Sequence, residues 1–297
     1  MAELIEHVSD TAFWVAYYRW LETQRPDALF KDPLSIKLVG DRGAKLAKHM
    51  GIERAMAWSM ALRTWIIDRY IAEQVAEGCD GFINLGAGLD TRPYRLDLPK
   101  DFNWIEVDFQ HVIDYKNEVL KDDLPVCRLQ RIACDLSDDT ARSALLADLN
   151  GTGRRLCVLT EGVIPYLRNE AVSALARDLR QQDHIIRWIS DYFSPLFHRM
   201  SARGRLKRRL AQNAPFHFNP GQNLDDWPRF FAQTGWEIEQ MRYSGDEGVK
   251  IGRGLPAGWL GQLLMPLASE AKLRPFKRLN GFALLRKGTG VISLDTP

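Results

Sequence analysis

Two glycines and two aspartates at the ends of strand-like segments are the residues best suited to bind a ligand. Gly86 and Gly88 follow the apolar run "GFINL", and a Gly-x-Gly turn after a strand lets a ligand approach the backbone closely. Asp108 ends "NWIEVD" about 20 residues later, the interval at which a carboxylate accepts hydrogen bonds from a ribose diol. Asp135 lies near the end of the next such segment. Its carboxylate can either accept a hydrogen bond from an adenine amino group or cap a helix. This spacing favours a ligand that contains adenosine.

The residues after Gly88 argue against a dinucleotide. The Gly-x-Gly-x-x-Gly pattern needs a third glycine at position 91, where the chain has Thr91. Asp90 also places a carboxylate beside the turn, which a pyrophosphate would repel. A ligand with a sulfonium, an ammonium and a carboxylate suits Asp90 better, so a nicotinamide dehydrogenase is the least favoured alternative.

Strand-like segments alternate with helix-like segments after Gly78, and they predict the elements that position these residues. The predicted strands cover residues 81–87, 103–108, 127–136, 155–162, 184–193, 235–243 and 281–288. Such alternation indicates right-handed crossovers and a mainly parallel sheet covered on both faces. We therefore predict an α/β fold with a seven-stranded, mainly parallel, Rossmann-like sheet, whose ligand lies at the carboxyl ends of the strands.

One domain is predicted for the whole chain. Its three parts are a helical cap over 1–77, a cofactor-binding core over 78–193, and a substrate-side insertion with closing strands over 194–297. Ser9 or Asp10 is the predicted N-cap of the first helix, and Ser137 that of the helix after the third strand.

Composition limits the partners. The 297 residues include 40 Lys and Arg against 38 Asp and Glu, a formal net charge of +2, so we predict neither a nucleic acid nor a membrane partner. The four cysteines lack metal-site spacing, which predicts buried reduced thiols and no metal. The acidic N-terminus and the lack of an apolar run near ~20 residues predict a cytoplasmic protein.

Several longer motifs resemble the leucine carboxyl methyltransferase family. They are "SDTAFWVAYYRWLETQRPDALFKDPLSIKLVG", "ALRTWIIDRYI", "NLGAGLDTRPYRL", "WIEVDFQHVIDYK", "ACDLSD" and "TEGVIPYL", and together they extend over nearly the whole chain. The family comprises class I methyltransferases that use S-adenosyl-L-methionine, including bacterial polyketide-type O-methyltransferases. The resemblance therefore implies this cofactor and a methyltransferase activity.

The resemblance also implies roles for individual residues. Arg63 would pair with the methionine carboxylate of the cofactor, for which a forked guanidinium is suited; from the residues alone it is a solvated helix residue. The other implied cofactor contacts are Gly86 and Gly88 at the methionine portion, Asp90 beside them, Asp108 at the ribose, Asp135 with Leu136 at the adenine, and Glu161 near the ammonium or sulfonium. The candidate substrate contacts are Tyr166, Tyr192 and Tyr17.

The acceptor is predicted to be the carboxylate of a small molecule, as in secondary metabolism. The family branch that methylates a protein C-terminus has an arginine after the "DL" pair, where this chain has Ser137, which favours the smaller substrate. A carboxylate needs no general base at neutral pH, whereas a phenol benefits from one. A protein C-terminal carboxyl methyltransferase and a catalytically silent cofactor-binding protein are the alternatives. The basic segment 198–210 is either a solvated helix face or a lid that attracts an acidic substrate.

Overall fold

The computed structural model describes residues 11–40, 53–149, 155–203, 216–256 and 269–289. These residues contain a seven-stranded sheet with the strand order β3-β2-β1-β4-β5-β7-β6. Its strands are β1 (Gly81–Leu85), β2 (Asn103–Asp108), β3 (Arg128–Ala133), β4 (Leu156–Thr160), β5 (Ile185–Phe193), β6 (Trp236–Tyr243) and β7 (Asn280–Lys287). The predicted α/β fold and its seven strands are thereby confirmed.

The strand order reverses at β1, which lies between β2 and β4. Strands β1 to β5 pair in parallel, and only the β7 pairings with β5 and β6 are antiparallel among the described strands. Leu85 pairs with both Val107 and Thr160, so the next residues of β1, β2 and β4 reach one edge of the sheet together. This edge is the topological switch point where open parallel sheets bind ligands.

Helices cover both faces of the sheet. They are α1 (Thr11–Thr23), α2 (Glu53–Ala76), α3 (Arg92–Arg95), α4 (Gln110–Val119), α5 (Asp139–Leu149), α6 (Asn169–Gln181), α7 (Pro195–Arg203), α8 (Asp226–Gln233), α9 (Ser244–Lys250) and α10 (Glu270–Lys277). Within the predicted helical cap, residues 24–34 form turns instead of a helix. Pro26 and Pro33 lack the amide hydrogen that a helix interior requires.

Two apolar cores lie on opposite faces of the sheet because strand side chains alternate in direction. Ile83 and Leu85 of β1 pack in the core that includes α6, whereas Phe82 packs in the core that includes α2. Burial of each such side chain contributes about 1.5–3 kcal/mol to folding. The central strands are therefore largely apolar on both faces. The polar residues discussed below lie at or just after the carboxyl ends of these strands.

Two details of the helices bear on earlier predictions. The helix α5 is capped by Asp138 rather than by the predicted Ser137, since Asp138 Oδ1 accepts hydrogen bonds from the amides of Thr140 (2.9 Å) and Ala141 (3.0 Å). The predicted caps at positions 9 and 10 lie outside the described residues.

No helix in the described ranges is both long and apolar enough to cross a membrane.

All four cysteines are free thiols. Cys79, Cys127 and Cys157 are buried, and Cys134 is half-buried at the end of β3. Within the described ranges, no group of three or more His, Cys, Asp or Glu side chains could hold a metal ion.

Candidate functional site

A cavity of about 490 Å³ opens at the carboxyl ends of β1, β2, β4 and β5 and is covered by α1 and α2. Its volume is in the range of small-molecule sites. The predicted site residues that line it are Arg63, Gly86, Gly88, Asp90, Asp108, Asp135, Leu136, Glu161 and Tyr166. The sheet thus brings together most of the residues that the sequence singled out.

The turn after β1 needs both of its glycines. Gly86 and Gly88 have φ angles of 69° and 50°, which side chains other than glycine rarely adopt. A Cβ atom on Gly86 would also overlap Cγ2 of Val163, and one on Gly88 would lie 3.2 Å from Cβ of Ala12. The turn therefore exposes backbone to the cavity at both glycine positions.

Asp108 lies at the end of β2 and faces this turn. Its Oδ2 accepts a hydrogen bond from the amide of Gly88 (2.6 Å) and its Oδ1 one from the amide of Phe109 (2.7 Å). Burial raises the pKa of Asp108, although both amide hydrogen bonds oppose the rise. Each carboxylate oxygen has a second lone pair, so the group can still accept the two hydrogen bonds of a ribose diol.

Asp135 and Leu136 lie at the far side of β2 from β1, where β3 ends. Asp135 is exposed, and its Oδ1 accepts hydrogen bonds from the amide (2.9 Å) and the hydroxyl (2.7 Å) of Ser137. Its Oδ2 has no hydrogen-bond partner among the residues that the structure describes. Leu136 adds an apolar surface, and the ring of Phe109, which the sequence analysis did not single out, lines the same end of the cavity.

Arg63 and Glu161 form the centre of the site. The Nε of Arg63 donates to Oε1 of Glu161 at 2.6 Å, while Nη1 of Arg92 donates to Oε2 at 2.6 Å. Burial acts to raise the pKa of Glu161, but the two guanidinium groups outweigh it and lower this pKa to about 2. Neither terminal nitrogen of Arg63 has a hydrogen-bond partner in the described part of the chain. The guanidinium therefore keeps its forked end available for a carboxylate in the cavity.

Asp90 belongs to the same charged network. Its Oδ2 accepts hydrogen bonds from Nδ2 of Asn84 (2.8 Å) and Nη1 of Arg92 (2.9 Å). Burial tends to raise the pKa of Asp90, yet the surrounding cations, above all Arg92, lower it. Arg92 is itself only 2% exposed and also pairs with Asp68 at 2.7 Å. Sequence reasoning missed its role, although its position directly after the glycine turn was the available signal.

Asp191, near the end of β5, lines the cavity without having been predicted there. Thr160 pairs with Ser190, so Asp191 is level with Glu161 at the strand ends. Its Oδ2 accepts a hydrogen bond from the amide of Gly162 at 2.7 Å. Burial raises the pKa of Asp191 to about 6, and the neighbouring Arg63 only partly opposes this rise.

The three tyrosines differ in position. Tyr166 lines the cavity, and its hydroxyl shares a hydrogen bond with the side chain of Thr11. Tyr192 points to the opposite face of β5, where its ring contacts those of Trp227 and Tyr243, each with centroids 5.6 Å apart. Successive strand residues face opposite sides, so Asp191 and Tyr192 cannot both face the cavity.

Tyr17 also lies away from the cavity lining. The α1 residues that line it are Thr11, Ala12, Trp14, Val15 and Arg19. Tyr17 instead contacts Tyr18 and Trp20, with ring centroids 5.8 and 5.6 Å away. The structure therefore does not bring Tyr17 or Tyr192 to the position expected of a substrate contact.

An aromatic wall closes the end of the cavity beside Asp191 and consists of Tyr166, Phe193, Phe197 and Phe216. Phe193 contacts Phe197 (4.6 Å between centroids) and Phe216 (5.6 Å), and Tyr166 contacts Phe216 edge to face (5.3 Å). These rings offer a flat apolar molecule favourable stacking and edge contacts.

The basic segment 198–210 lies largely outside the described residues, since residues 204–210 are not among them. Pro256 also lines the cavity.

Comparison with known proteins identifies the family of the chain. The model of the leucine carboxyl methyltransferase family matches residues 12–180. A Mycobacterium tuberculosis protein named as an S-adenosyl-L-methionine-dependent methyltransferase is 27% identical over 286 residues, which cover 85% of this chain and 87% of that protein. A Streptomyces coelicolor protein of the same description is 32% identical over 240 residues, covering 76% and 82%.

Two solved structures share the fold. A DUF574 family protein from Streptomyces avermitilis has a TM-score of 0.56 at 15% identity, covering 92% of this chain and 96% of that one. A methyltransferase structure from Thermobifida fusca has a TM-score of 0.54 at 14% identity and covers 97% of both chains. At these identities the likeness concerns the fold alone.

Proposed function

The chain belongs to the leucine carboxyl methyltransferase family and is an S-adenosylmethionine-dependent methyltransferase, and from this premise we propose that it methylates an oxygen atom of a small molecule. The observation that carries the proposal is the free forked end of Arg63 in the same cavity as the glycine turn and Asp108.

The cavity residues fit the cofactor part by part. Arg63 would bind the methionine carboxylate, the glycine turn would accommodate the methionine portion, and Asp108 would bind the ribose hydroxyls. Asp135, through its Oδ2, and Leu136 would border the adenine, while Glu161 would attract the positive end of the cofactor. When bound, the cofactor supplies an electrophilic methyl group on a sulfonium. The protein's own contribution is to orient the acceptor and to exclude water, and orientation alone can supply effective molarities of ~10⁵ M or more.

We infer two candidate acceptors. The family resemblance favours the carboxylate of a small molecule, and the aromatic wall suits a compact apolar substrate better than a charged protein tail. A second candidate, a hydroxyl group, is favoured by Asp191, because a buried carboxylate can accept the proton that a hydroxyl must lose. Of the described cations in the cavity lining, Arg19 already pairs with Asp32 (2.8 Å) and the forked end of Arg63 is assigned to the cofactor, which further favours an uncharged acceptor.

The proposed function is tested with S-adenosylmethionine that carries a labelled methyl group. The protein is incubated with a library of small aromatic acids and hydroxyl compounds, and labelled products are then treated with mild base. An ester releases labelled methanol, whereas an ether does not. Transfer to either product class supports O-methylation. Binding of S-adenosylhomocysteine without transfer to any compound would instead support the silent cofactor-binding protein.

A further inference from the structure

Among the residues that the structure describes, five carboxylates line the cavity, and four of them are unsuited to accept a proton from the methyl acceptor. Glu161 and Asp90 are paired with guanidinium groups that lower their pKa values. Asp108 accepts an amide hydrogen bond on each oxygen and its remaining lone pairs are assigned to the ribose, whereas Asp135 is exposed at the adenine end. The fifth carboxylate, Asp191, differs from all of these.

Asp191 is 3% exposed, and it has no ion pair within 4 Å among the described residues. Its Oδ2 is held by the amide of Gly162, and its Oδ1 accepts no hydrogen bond from another described residue. The backbone amide of Asp191 itself also donates to its carboxylate, and no side chain in the described ranges donates to Oδ1. The pKa of Asp191, raised by burial to about 6, makes the carboxylate a better proton acceptor than an exposed aspartate.

The surroundings of Asp191 indicate the shape of the acceptor. The aromatic wall lies beside it, since Phe193 is two residues further along β5 and Phe197 lies in the first turn of α7. Tyr166 stays protonated because burial raises its pKa, so its hydroxyl is a hydrogen-bond donor at neutral pH. A flat ring placed against the wall would present its substituent between this hydroxyl and the carboxylate of Asp191.

We propose that Asp191 is the catalytic base of the reaction and that the acceptor is therefore a hydroxyl on a flat apolar ring, a phenol or an enol, rather than a carboxylate. This inference rests on the proposed methyl transfer and specifies its substrate class.

The proton and electron balance is complete without another reactant. The acceptor hydroxyl gives its proton to Asp191 Oδ1, and its oxygen forms a bond to the methyl carbon. The bond between that carbon and sulfur breaks, and its electron pair stays on sulfur. Asp191 then releases the proton to solvent. A carboxylate acceptor has no proton to give, and it would place a negative charge beside Asp191 and Glu161.

The charged and titratable groups around Asp191 come from four elements. They are Arg63 on α2, Glu161 after β4, Tyr166 in the turn 164–166, and His198 on α7, which shares a second small cavity with Asp191. Burial lowers the pKa of His198, so this side chain stays neutral above pH 7. Because the basic form of Asp191 is required, we expect kcat/KM for a hydroxyl acceptor to fall as the pH decreases through about 6.

The first test compares Asp191→Asn with Tyr192→Phe, which changes the neighbouring residue on the other face of β5. The acceptors are 4-methylphenol, a weak acid, and 4-nitrophenol, which is largely ionised at pH 8. Asp191→Asn should lower kcat/KM for 4-methylphenol by about 100-fold or more and for 4-nitrophenol by less than 10-fold. Tyr192→Phe should change neither value more than about twofold. An equal loss with both phenols, or no loss, contradicts a proton-accepting role.

The second test measures binding rather than activity. Calorimetry at pH 8 compares 2-naphthol with 2-naphthoate on protein saturated with S-adenosylhomocysteine. The wild type should prefer the neutral naphthol by about 10-fold or more, and Asp191→Asn should abolish or reverse this preference because the repelling charge is gone. Tighter binding of naphthoate to the wild type, an unchanged preference in the variant, or no binding of naphthol at millimolar concentration overturns the inference.

Failure of the proposed methyl transfer and failure of the role of Asp191 give different results. If S-adenosylhomocysteine does not bind, the proposed function itself is wrong. If it binds and the labelled methyl group goes only to carboxylates, O-methylation stands and the role of Asp191 as base is wrong.

Discussion

Replacement of Arg63 by methionine should weaken the amino-acid end of cofactor binding specifically. The two terminal nitrogens of Arg63 have no hydrogen-bond partner in the described ranges, while its Nε is fixed by Glu161 at 2.6 Å. The fork is therefore oriented before a ligand binds, and both nitrogens can donate to one carboxylate. Hydrogen bonds to charged groups contribute about 1.5–3 kcal/mol, which corresponds to a loss of about 10- to 150-fold in affinity.

The measurement is isothermal titration calorimetry with two ligands. S-Adenosylhomocysteine has the amino-acid tail, and 5′-methylthioadenosine has the same nucleoside and thioether without it. Arg63→Met should reduce the affinity for the first by the stated factor and change that for the second by less than about threefold. Arg63→Lys should give an intermediate loss, because a lysine keeps the charge but not the fork.

Two results would refute this assignment of Arg63. Equal losses for both ligands would mean that the arginine acts through the packing of the site rather than through the carboxylate. An unchanged affinity for S-adenosylhomocysteine would mean that the free fork does not face the ligand. Glu161 remains paired with Arg92 at 2.6 Å in the variant, so a collapse of the fold is not expected, and thermal unfolding checks this.

Three further predictions follow from single residues. Asp108→Asn should weaken S-adenosylhomocysteine and 5′-methylthioadenosine alike, by about 10-fold or more, because both ligands contain the ribose; calorimetric loss for only one of them would contradict ribose binding. Gly86→Ala should destabilise the fold by more than the about 1–2 kcal/mol of the positive φ alone, because its Cβ overlaps Val163. Gly78→Ala, also at positive φ but with no atom within 4 Å of its Cβ, is the matched control in denaturant unfolding, and equal losses would refute the overlap. Asp191→Asn should be more stable than the wild type by up to about 3 kcal/mol above pH 7, because the pKa of Asp191 rises on folding from 3.8 to about 6. The folded state then binds the extra proton, so wild-type stability falls as the pH rises from about 4 to 6, and thermal unfolding of both proteins at pH 4 and 8 should show the difference only at pH 8.

The strands could be predicted from the sequence because the buried parallel strands are near-continuous apolar runs. The predicted strand ends were less accurate, because a strand ends where its pairing with the neighbouring strand ends and not where the apolar run ends. The third strand was predicted over 127–136, but β3 ends at Ala133, where its partner β2 ends at Asp108. The residues after Ala133 consequently leave the sheet, which places Asp135 and Leu136 in the cavity lining.

Arg63 shows what local pattern alone cannot reveal. Met56, Ser59, Met60 and Arg63 follow one face of α2 at helical spacing, and all four line the cavity. Such a mixed face resembles an ordinary amphipathic helix, and only the packing of α2 over the strand ends brings Arg63 to the cavity. The resemblance to a family supplied this placement, because it carries tertiary information that periodicity lacks.

Asp191 was missed because the register of β5 depends on an irregularity in the sheet. The pairing of β4 with β5 shifts after Leu156, so that Ile186 is passed over and Cys157 pairs with Arg187. This shift brings Asp191, rather than Ser190, level with Glu161. A one-residue change in register exchanges the side chains at the sheet edge, and nothing in the string "ISDYF" fixes that register.

Glu161 and Asp191 lie level with each other at the strand ends, but their surroundings give the two carboxylates different pKa values. Glu161 is held between Arg63 and Arg92, which lower its pKa and keep it ionised, as the proposed attraction of the positive end of the cofactor requires. Asp191 is buried beside the aromatic wall and has no ion pair within 4 Å among the described residues, so its pKa is raised to about 6. Pairs of titratable groups whose surroundings separate their pKa values are typical of sites that move protons. A site that only positioned an ionised carboxylate substrate would not need a second buried carboxylate. The burial of Asp191 would then lower the stability of the fold without contributing to the reaction.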